Sequence, residues 1–214
     1  MKFEMPELLP LFLKLSGRAV LLVGGGRVAT AKLQQLLSAG AQVRVVAPET
    51  APAIDWAPRE RVTVFRRGFL PTDLDDAWLV VAAATPEVNR EVAEAAEPRR
   101  IFVNAVDDPQ NASAYLSGVV RRDGVTVAIS TSGNAPALTA LLREGIDALL
   151  PQDLAAWLRR ARAERLVWRR DSVPMGDRKG RLLRALNGIY ERDRVAVPVE
   201  EFSPWLCCPE DSWL

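Results

Sequence analysis

Gly24-Gly25-Gly26-Arg27-Val28-Ala29 is a run whose residue types and spacing fit the turn that cradles a nucleotide pyrophosphate. Gly24 lets the chain turn sharply, Gly26 removes a side chain that would hold the backbone away from phosphate, and Ala29 is small enough for close helix-on-sheet packing. Unpaired N–H groups and the positive dipole end at such a helix start bind anions. Glu49 follows at about the 20-residue interval where a dinucleotide site carries the acid that bonds the adenosine ribose hydroxyls. A solvated loop acid looks the same in isolation; the turn at the right distance before it selects the functional reading. Its charge would repel a 2′-phosphate, so the expected cofactor is NAD rather than NADP. The chain has no histidine, which leaves proton transfer to carboxylates, hydroxyls, Lys, Arg or water.

Those residues need strands and helices beneath them. The apolar run 19–23 reads as the strand that feeds the turn, and the helix after it sets Val28, Leu33, Leu36 and Leu37 on one face before Gly40 ends it. Residues 42–47 form a second strand, 62–65 a short third and 77–84 a buried parallel one, with a short helix or loop over 66–76. Thr85-Pro86-Glu87 starts a helix that runs to about Glu97, with Val88, Val92 and Ala95 or Ala96 inward, and 101–104 is the next strand. This alternation predicts an α/β fold, a Rossmann-type doubly wound parallel sheet. Ligands of such sheets sit beyond the carboxyl ends of the strands. The residues there are Gly24, Gly25, Gly26, Arg27, Val28, Pro48, Glu49, Ala84, Thr85 and 104–108.

At Asn111 the period changes. Residues 113–120 and 125–130 read as two strands of a β-hairpin turning through Asp123-Gly124. Ser130-Thr131-Ser132-Gly133-Asn134-Ala135-Pro136 then leads into a helix carrying Leu138, Leu141, Leu142, Ile146, Leu149 and Leu150, which Pro151 interrupts. Hydroxyls and N–H groups at such a helix start suit a carboxylate ligand, and Ser132 or Asn134 also suits a plain N-cap. Helices over about 153–168 and 177–190 follow, and the proline-bearing tail from Val195 is expected to be irregular.

Composition sets limits. With 214 residues, 49% hydrophobic and 26% charged, the chain has the makeup of a globular protein with a core and a smaller second unit. A net charge of +1 gives no general electrostatic attraction to nucleic acid or an anionic membrane. Leu8 to Leu15 is broken by Pro10 and Lys14, which fits neither a signal peptide nor a membrane span, so a cytoplasmic location is expected. Cys207 and Cys208 are adjacent and read as two reduced thiols; with no histidine they offer no zinc ligand set, and no metal site is expected.

Leu9-Pro10-Leu11-Phe12, the stretch from Val23 through Gly24-Gly25-Gly26 to Lys32, Asn104-Ala105-Val106-Asp107-Asp108-Pro109, Ser130 to Pro136, Leu141-Leu142-Arg143-Glu144 and Met175-Gly176-Asp177-Arg178 stand in one order along the chain. That order resembles the siroheme synthase N-terminal family, the precorrin-2 dehydrogenases, from near the N-terminus to about Gly188. The resemblance implies an NAD-binding domain over 1–112, a dimerisation region over 113–150, a helical C-terminal domain over 151–194 that helps enclose the tetrapyrrole, and a tail over 195–214. It implies a homodimer that oxidises precorrin-2 to sirohydrochlorin with NAD, and in some members also inserts iron. Nothing resembling the methyltransferase module fused to some members is present.

The resemblance points to Asp107 as base or proton relay, from its place in the family's Asn-x-Val-Asp motif, against a turn-capping role before Pro109. Asp108 lacks the motif match and reads as structural. Ser130, Thr131, Ser132 and Asn134 become substrate-binding candidates because precorrin-2 is an octacarboxylate; the family often has a glycine and a serine where this chain has Asn134 and Ala135. Arg143, Arg159, Arg160, Arg162, Arg178 and Arg181 are a pool of cations for the same carboxylates. A short-chain dehydrogenase is excluded, since Tyr190 is followed four residues on by Arg194 and Tyr115 by Val119. A non-catalytic NAD sensor, and a chelatase in which Asp107 helps remove pyrrole protons, are the alternatives.

Overall fold

The structure, a computed structural model, describes residues 8–194. The tail from Val195 and the paired thiols Cys207 and Cys208 lie outside the described residues. Five parallel strands, β1 (Ala19–Val23), β2 (Gln42–Val46), β3 (Val62–Phe65), β4 (Leu79–Ala82) and β5 (Phe102–Ala105), form one sheet in the order β3-β2-β1-β4-β5. Helices α1 (Arg27–Ser38), α2 (Pro52–Asp55) and α3 (Pro86–Ala96) lie in the crossovers, and the β3-to-β4 connection holds a 3-10 turn at Pro71–Leu74.

β1 is apolar at every position because both of its faces are covered. Val20 and Leu22 join Ala29, Leu33 and Leu36 of α1 in one core cluster; Leu21 and Val23 join Val92 and Ala96 of α3 in the other. Each fully buried Leu or Val contributes about 1.5–3 kcal/mol. The end of α1 is a Schellman motif: the Gly40 N–H reaches Leu37 O at 3.0 Å and the Ala41 N–H reaches Leu36 O at 3.1 Å, with Gly40 at φ +86°.

Three sequence expectations change. Val28 is 43% exposed rather than inward: in the first helical turn it stands past the strand ends, and Ala29, Leu33 and Leu36 define the core face. Trp78 precedes β4 and is 56% exposed, its ring covered by the Arg18 guanidinium at 3.7 Å. Residues 113–117 do not join the hairpin. The N–H groups of Ser113 and Ala114 both reach Val103 O at 2.9 Å, and Ser113 Oγ accepts from the Val103 N–H at 2.9 Å, so this segment follows β5 instead.

By compactness the chain divides into two units. One takes the chain through Val119 together with Ala128–Ala148, and the other takes Val120–Val127 with the chain from Leu149 onward. The first contains the sheet and α4 (Pro136–Leu149) up to Ala148. The boundary crosses the two-stranded sheet of β6 (Gly118–Arg122) and β7 (Val125–Ile129), whose turn places Asp123 at φ +51° and Gly124 at φ +84°, the left-handed pair a tight hairpin requires. In the second unit α5 (Leu154–Arg170) and α6 (Met175–Arg194) pack together, with Leu154, Trp168 and Val173 buried. Trp157 Nε1–H donates to Tyr190 Oη at 2.6 Å, and that hydroxyl donates to Asp153 Oδ1 at 3.0 Å.

Candidate functional site

Strand register builds the site. Val23 lies level with Val46 and Ala82, and Ala82 with Ala105, so β1, β2, β4 and β5 end along one line. The residues just past that line are the glycine turn, Pro48 and Glu49, Ala84 and Thr85, and Val106 and Asp107.

The three glycines answer to different demands. Gly24 has φ +124°, and a Cβ there would lie 2.2 Å from Ala83 O. A Cβ on Gly25 would lie 1.9 Å from Glu49 O, and the Gly25 carbonyl accepts from the Ala51 N–H at 2.8 Å. The turn is therefore threaded between the β2 and β4 loops with no room for a side chain. Gly26 is different: its backbone is ordinary extended chain, φ −84°, and a Cβ there would meet nothing within 4 Å. Nothing inside the protein requires glycine at 26, so the free surface serves whatever approaches from outside.

What approaches is specified by the helix start. No side chain caps α1 and its first turn holds no acid, which leaves its N-terminal dipole uncompensated. At α3, by contrast, an acid stands in the first turn, and the backbone N–H and Thr85 hydroxyl beside Glu87 hold its carboxyl below the usual carboxylate range. An open Gly26 over an uncapped helix start has the form of a cradle for a diphosphate, and the residues present fit a dinucleotide cofactor. Asn89, buried, steadies the neighbouring loop by accepting the Ala84 N–H on Oδ1 at 3.1 Å. Sequence reasoning passed over Asn89, since an Asn within a helix ordinarily faces water.

Beside this cradle is an open pocket of about 230 Å3 lined by, among others, Lys32, Asn104, Asp107, Tyr115, Ser130 and Thr131. Its walls are two loops packed on each other: Tyr115 Oη donates to Pro109 O at 3.3 Å, and Gly133, at φ +77°, leaves only 3.3 Å between its missing Cβ and the Tyr115 ring. Asp107 has φ +57°, is exposed, and its carboxylate has no hydrogen-bond or ion-pair partner among the described residues. The turn-capping carboxylate is the neighbouring Asp108, whose Oδ2 accepts from Asn111 Nδ2 at 2.8 Å. Lys32 is half-buried; burial lowers its pKa, and the Asp107 charge partly opposes that shift.

The structure gathers Asp107, Ser130 and Thr131 into this pocket, while Ser132 and Asn134 do not line it. Nor does either side chain cap α4: Thr131 Oγ1 accepts the Ala135 N–H at 3.2 Å and lies 3.0 Å from Thr139 Oγ1, and Ser130 Oγ accepts the Ser132 N–H at 3.1 Å. With Ser132 at φ +54° and Gly133 left-handed, the chain doubles back, so Thr131 rather than the closer residues reaches the helix start. Among the arginines, Arg143 pairs with Glu144 at 3.4 Å, Arg160 with Glu164 at 2.8 Å, and Arg178 Nε donates to Val173 O at 3.0 Å. Arg159 and Arg162 are exposed on α5. Among the described residues no helix is long and apolar enough to cross a membrane.

Residues 11–118 match the family model described as "Putative NAD(P)-binding", and residues 122–149 match "Sirohaem biosynthesis protein central". Siroheme synthase 2 of Klebsiella pneumoniae subsp. pneumoniae is 40% identical over 190 residues, 88% of this chain and 41% of that protein. Siroheme synthase 1 of Aeromonas hydrophila subsp. hydrophila is 46% identical over 150 residues, 69% of this chain and 32% of that protein. The chain thus spans about two fifths of the length of one of these curated relatives and about a third of the other. Among solved structures, SirC, precorrin-2 dehydrogenase, has the same fold: TM-score 0.67 at 24% identity, covering 88% of this chain and 97% of that one.

Proposed function

The chain belongs to the siroheme synthase N-terminal family, and from that premise we propose that it oxidises precorrin-2 to sirohydrochlorin with NAD as the hydride acceptor. The observation that carries the reading is the unpartnered Asp107 carboxylate, held on left-handed backbone beside a cradle fit for a dinucleotide.

NAD, when bound, supplies the acceptor for the hydride that leaves a saturated carbon of the macrocycle. The protein's own residues do the rest. Gly24, Gly25 and Gly26 with the N–H groups of Arg27 and Val28 hold the diphosphate at the α1 start, and the Pro48–Glu49 and Ala84–Thr85 loops flank it. Exposed Glu49 bonds the ribose hydroxyls and rejects a 2′-phosphate. Asp107 takes the proton that leaves as the hydride departs, so two electrons and one proton go to the cofactor site and one proton to the carboxylate. Ser130 donates its hydroxyl hydrogen to a substrate carboxylate, with Thr131 lining the pocket beside it and Ser132 and Asn134 outside that contact. The active form we propose is a cytoplasmic homodimer: α4 has no buried residue, and its Leu138, Leu141 and Leu142 are 47%, 65% and 41% exposed, an apolar face for a second copy.

Incubation with precorrin-2 and NAD, followed by the absorbance of NADH and sirohydrochlorin, tests the reading. The expected result is stoichiometric formation of both, slowed about 10²- to 10⁴-fold in Asp107→Asn with NAD affinity retained. Binding of NAD without turnover identifies the sensor alternative and overturns the proposal. Ferrous ion added to the product shows whether the same pocket also carries metal insertion.

A further inference from the structure

Lys32 is the one cation lining the pocket among the described residues, and the mechanism above leaves it unused. Four residues past Val28 on α1, it shares the face that turns away from the core, and it lines the pocket that holds Asp107. Among the described residues its ammonium has no hydrogen bond and closes no ion pair; it senses Asp107 only through space. A half-buried cation that has lost part of its hydration and found no protein partner is poised for an anion from outside. The pocket lining also offers a donor for the same anion, since Ser130 Oγ accepts from the Ser132 N–H and keeps its own hydrogen free. Asn104, 6% exposed, donates through Nδ2 to Ala114 O at 3.0 Å, while its buried Oδ1 lacks a partner. The unpaired cation is left for the anion of a ligand to complete.

Size narrows the ligand. Pockets that enclose a whole drug-sized molecule run to roughly 300–1,000 Å3, and this one is about 230 Å3 and open. It takes one edge or arm of a large substrate. Resting on the functional reading above, we propose that Lys32 is a substrate-binding residue whose ammonium receives one carboxylate arm of the tetrapyrrole, seating the ring edge against Asp107. The cofactor's diphosphate belongs to the helix start one turn earlier, at the open Gly26, so Lys32 is assigned to the substrate and not to NAD.

Equilibrium titration of the full chain with sirohydrochlorin, and separately with NAD, tests this. Lys32→Met keeps the length of the stem and removes the charge. It is expected to weaken sirohydrochlorin about 10- to 150-fold, the range for one lost charge-assisted hydrogen bond, with a matching rise in the KM for precorrin-2, NAD affinity unchanged and kcat within about threefold. Lys32→Arg restores most of the affinity. Unchanged sirohydrochlorin binding in Lys32→Met, or a loss of NAD affinity in its place, overturns the assignment while leaving the oxidoreductase reading standing. A wild-type protein that neither binds sirohydrochlorin nor oxidises precorrin-2 overturns both.

Discussion

Alanine at Gly26 and alanine at Gly25 are expected to have opposite consequences, although the positions are adjacent. At Gly26 the new methyl meets nothing within 4 Å and the backbone, φ −84°, suits any residue. Two small terms then act on stability. Replacing Gly lowers the entropy of the unfolded chain, a gain of about 0.4–1 kcal/mol. Alanine is a poorer N-cap than glycine, a loss of about 0.5–1 kcal/mol. They nearly cancel, so Gly26→Ala should unfold within about 2–4 °C of the parent, the shift that 1 kcal/mol produces in a chain of this size. The same methyl stands where the diphosphate must approach the α1 amides, and one lost charge-assisted contact weakens NAD about 10- to 150-fold. At Gly25 the methyl would lie 1.9 Å from Glu49 O and 3.0 Å from Ala47 Cβ. Backbone must move to admit it, and overpacking of that kind costs about 1–3 kcal/mol or more, so this variant loses stability first. Thermal unfolding paired with NAD calorimetry reads both quantities. A Gly26→Ala protein that binds NAD as tightly as the parent, or that is destabilised as much as Gly25→Ala, would refute the division of labour among the glycines.

Asp73 is buried, its carboxylate joined to Arg67 at 2.5 and 2.7 Å and to the Leu70 N–H at 2.9 Å; the Arg67 hydrogen bonds, then that N–H, hold its pKa below the usual value. A folded pKa below the unfolded one stabilises fully above about pH 4 and less as pH falls through the depressed value. Asp73→Asn should therefore cost about 1–3 kcal/mol at pH 7, discounted for the partly exposed Arg67, and the deficit should shrink in denaturant titrations run at progressively lower acidic pH. Asn89→Ala removes the acceptor for the Ala84 N–H and should cost about 1–3 kcal/mol, with NAD binding weakened in calorimetry because the loop beside the cradle loosens. Leu141→Glu, at a side chain 65% exposed on α4, should leave each chain folded by circular dichroism yet convert dimer to monomer in light scattering; a dimer of undiminished stability would refute the proposed use of that face.

Much of the fold was legible because the parallel sheet imposes an unambiguous pattern. Continuous apolar runs such as Leu79 to Ala82 admit a strand buried on both faces, and Gly40 and Asp123-Gly124 mark conformations that most residues resist. What escaped depends on contacts between distant segments. Residues 113–117 carry strand-like side chains, and nothing local says whether they pair with the hairpin or follow β5; the Val103 carbonyl decides it. Trp78 reads as core by type, but Arg18 covers its ring outside the sheet.

Lys32 illustrates how one misplaced side chain hides another. Setting Val28 on the apolar face of α1 makes position 32, one turn further on, a residue at the edge of the core, where a lysine reads as an incidental snorkelling cation. With Ala29, Leu33 and Leu36 as the inward stripe, positions 28 and 32 fall together on the face that leaves the core at the strand ends. The identity of Ala29 was the available signal: a small residue four before Leu33 belongs where helix and sheet approach most closely, so the stripe had to run through 29 and not through 28. Helix register, more than any motif, thus sets which polar side chain enters the pocket beside Asp107. Sliding that stripe by one residue would carry Lys32 out of reach of the pocket while leaving every glycine of the turn in place.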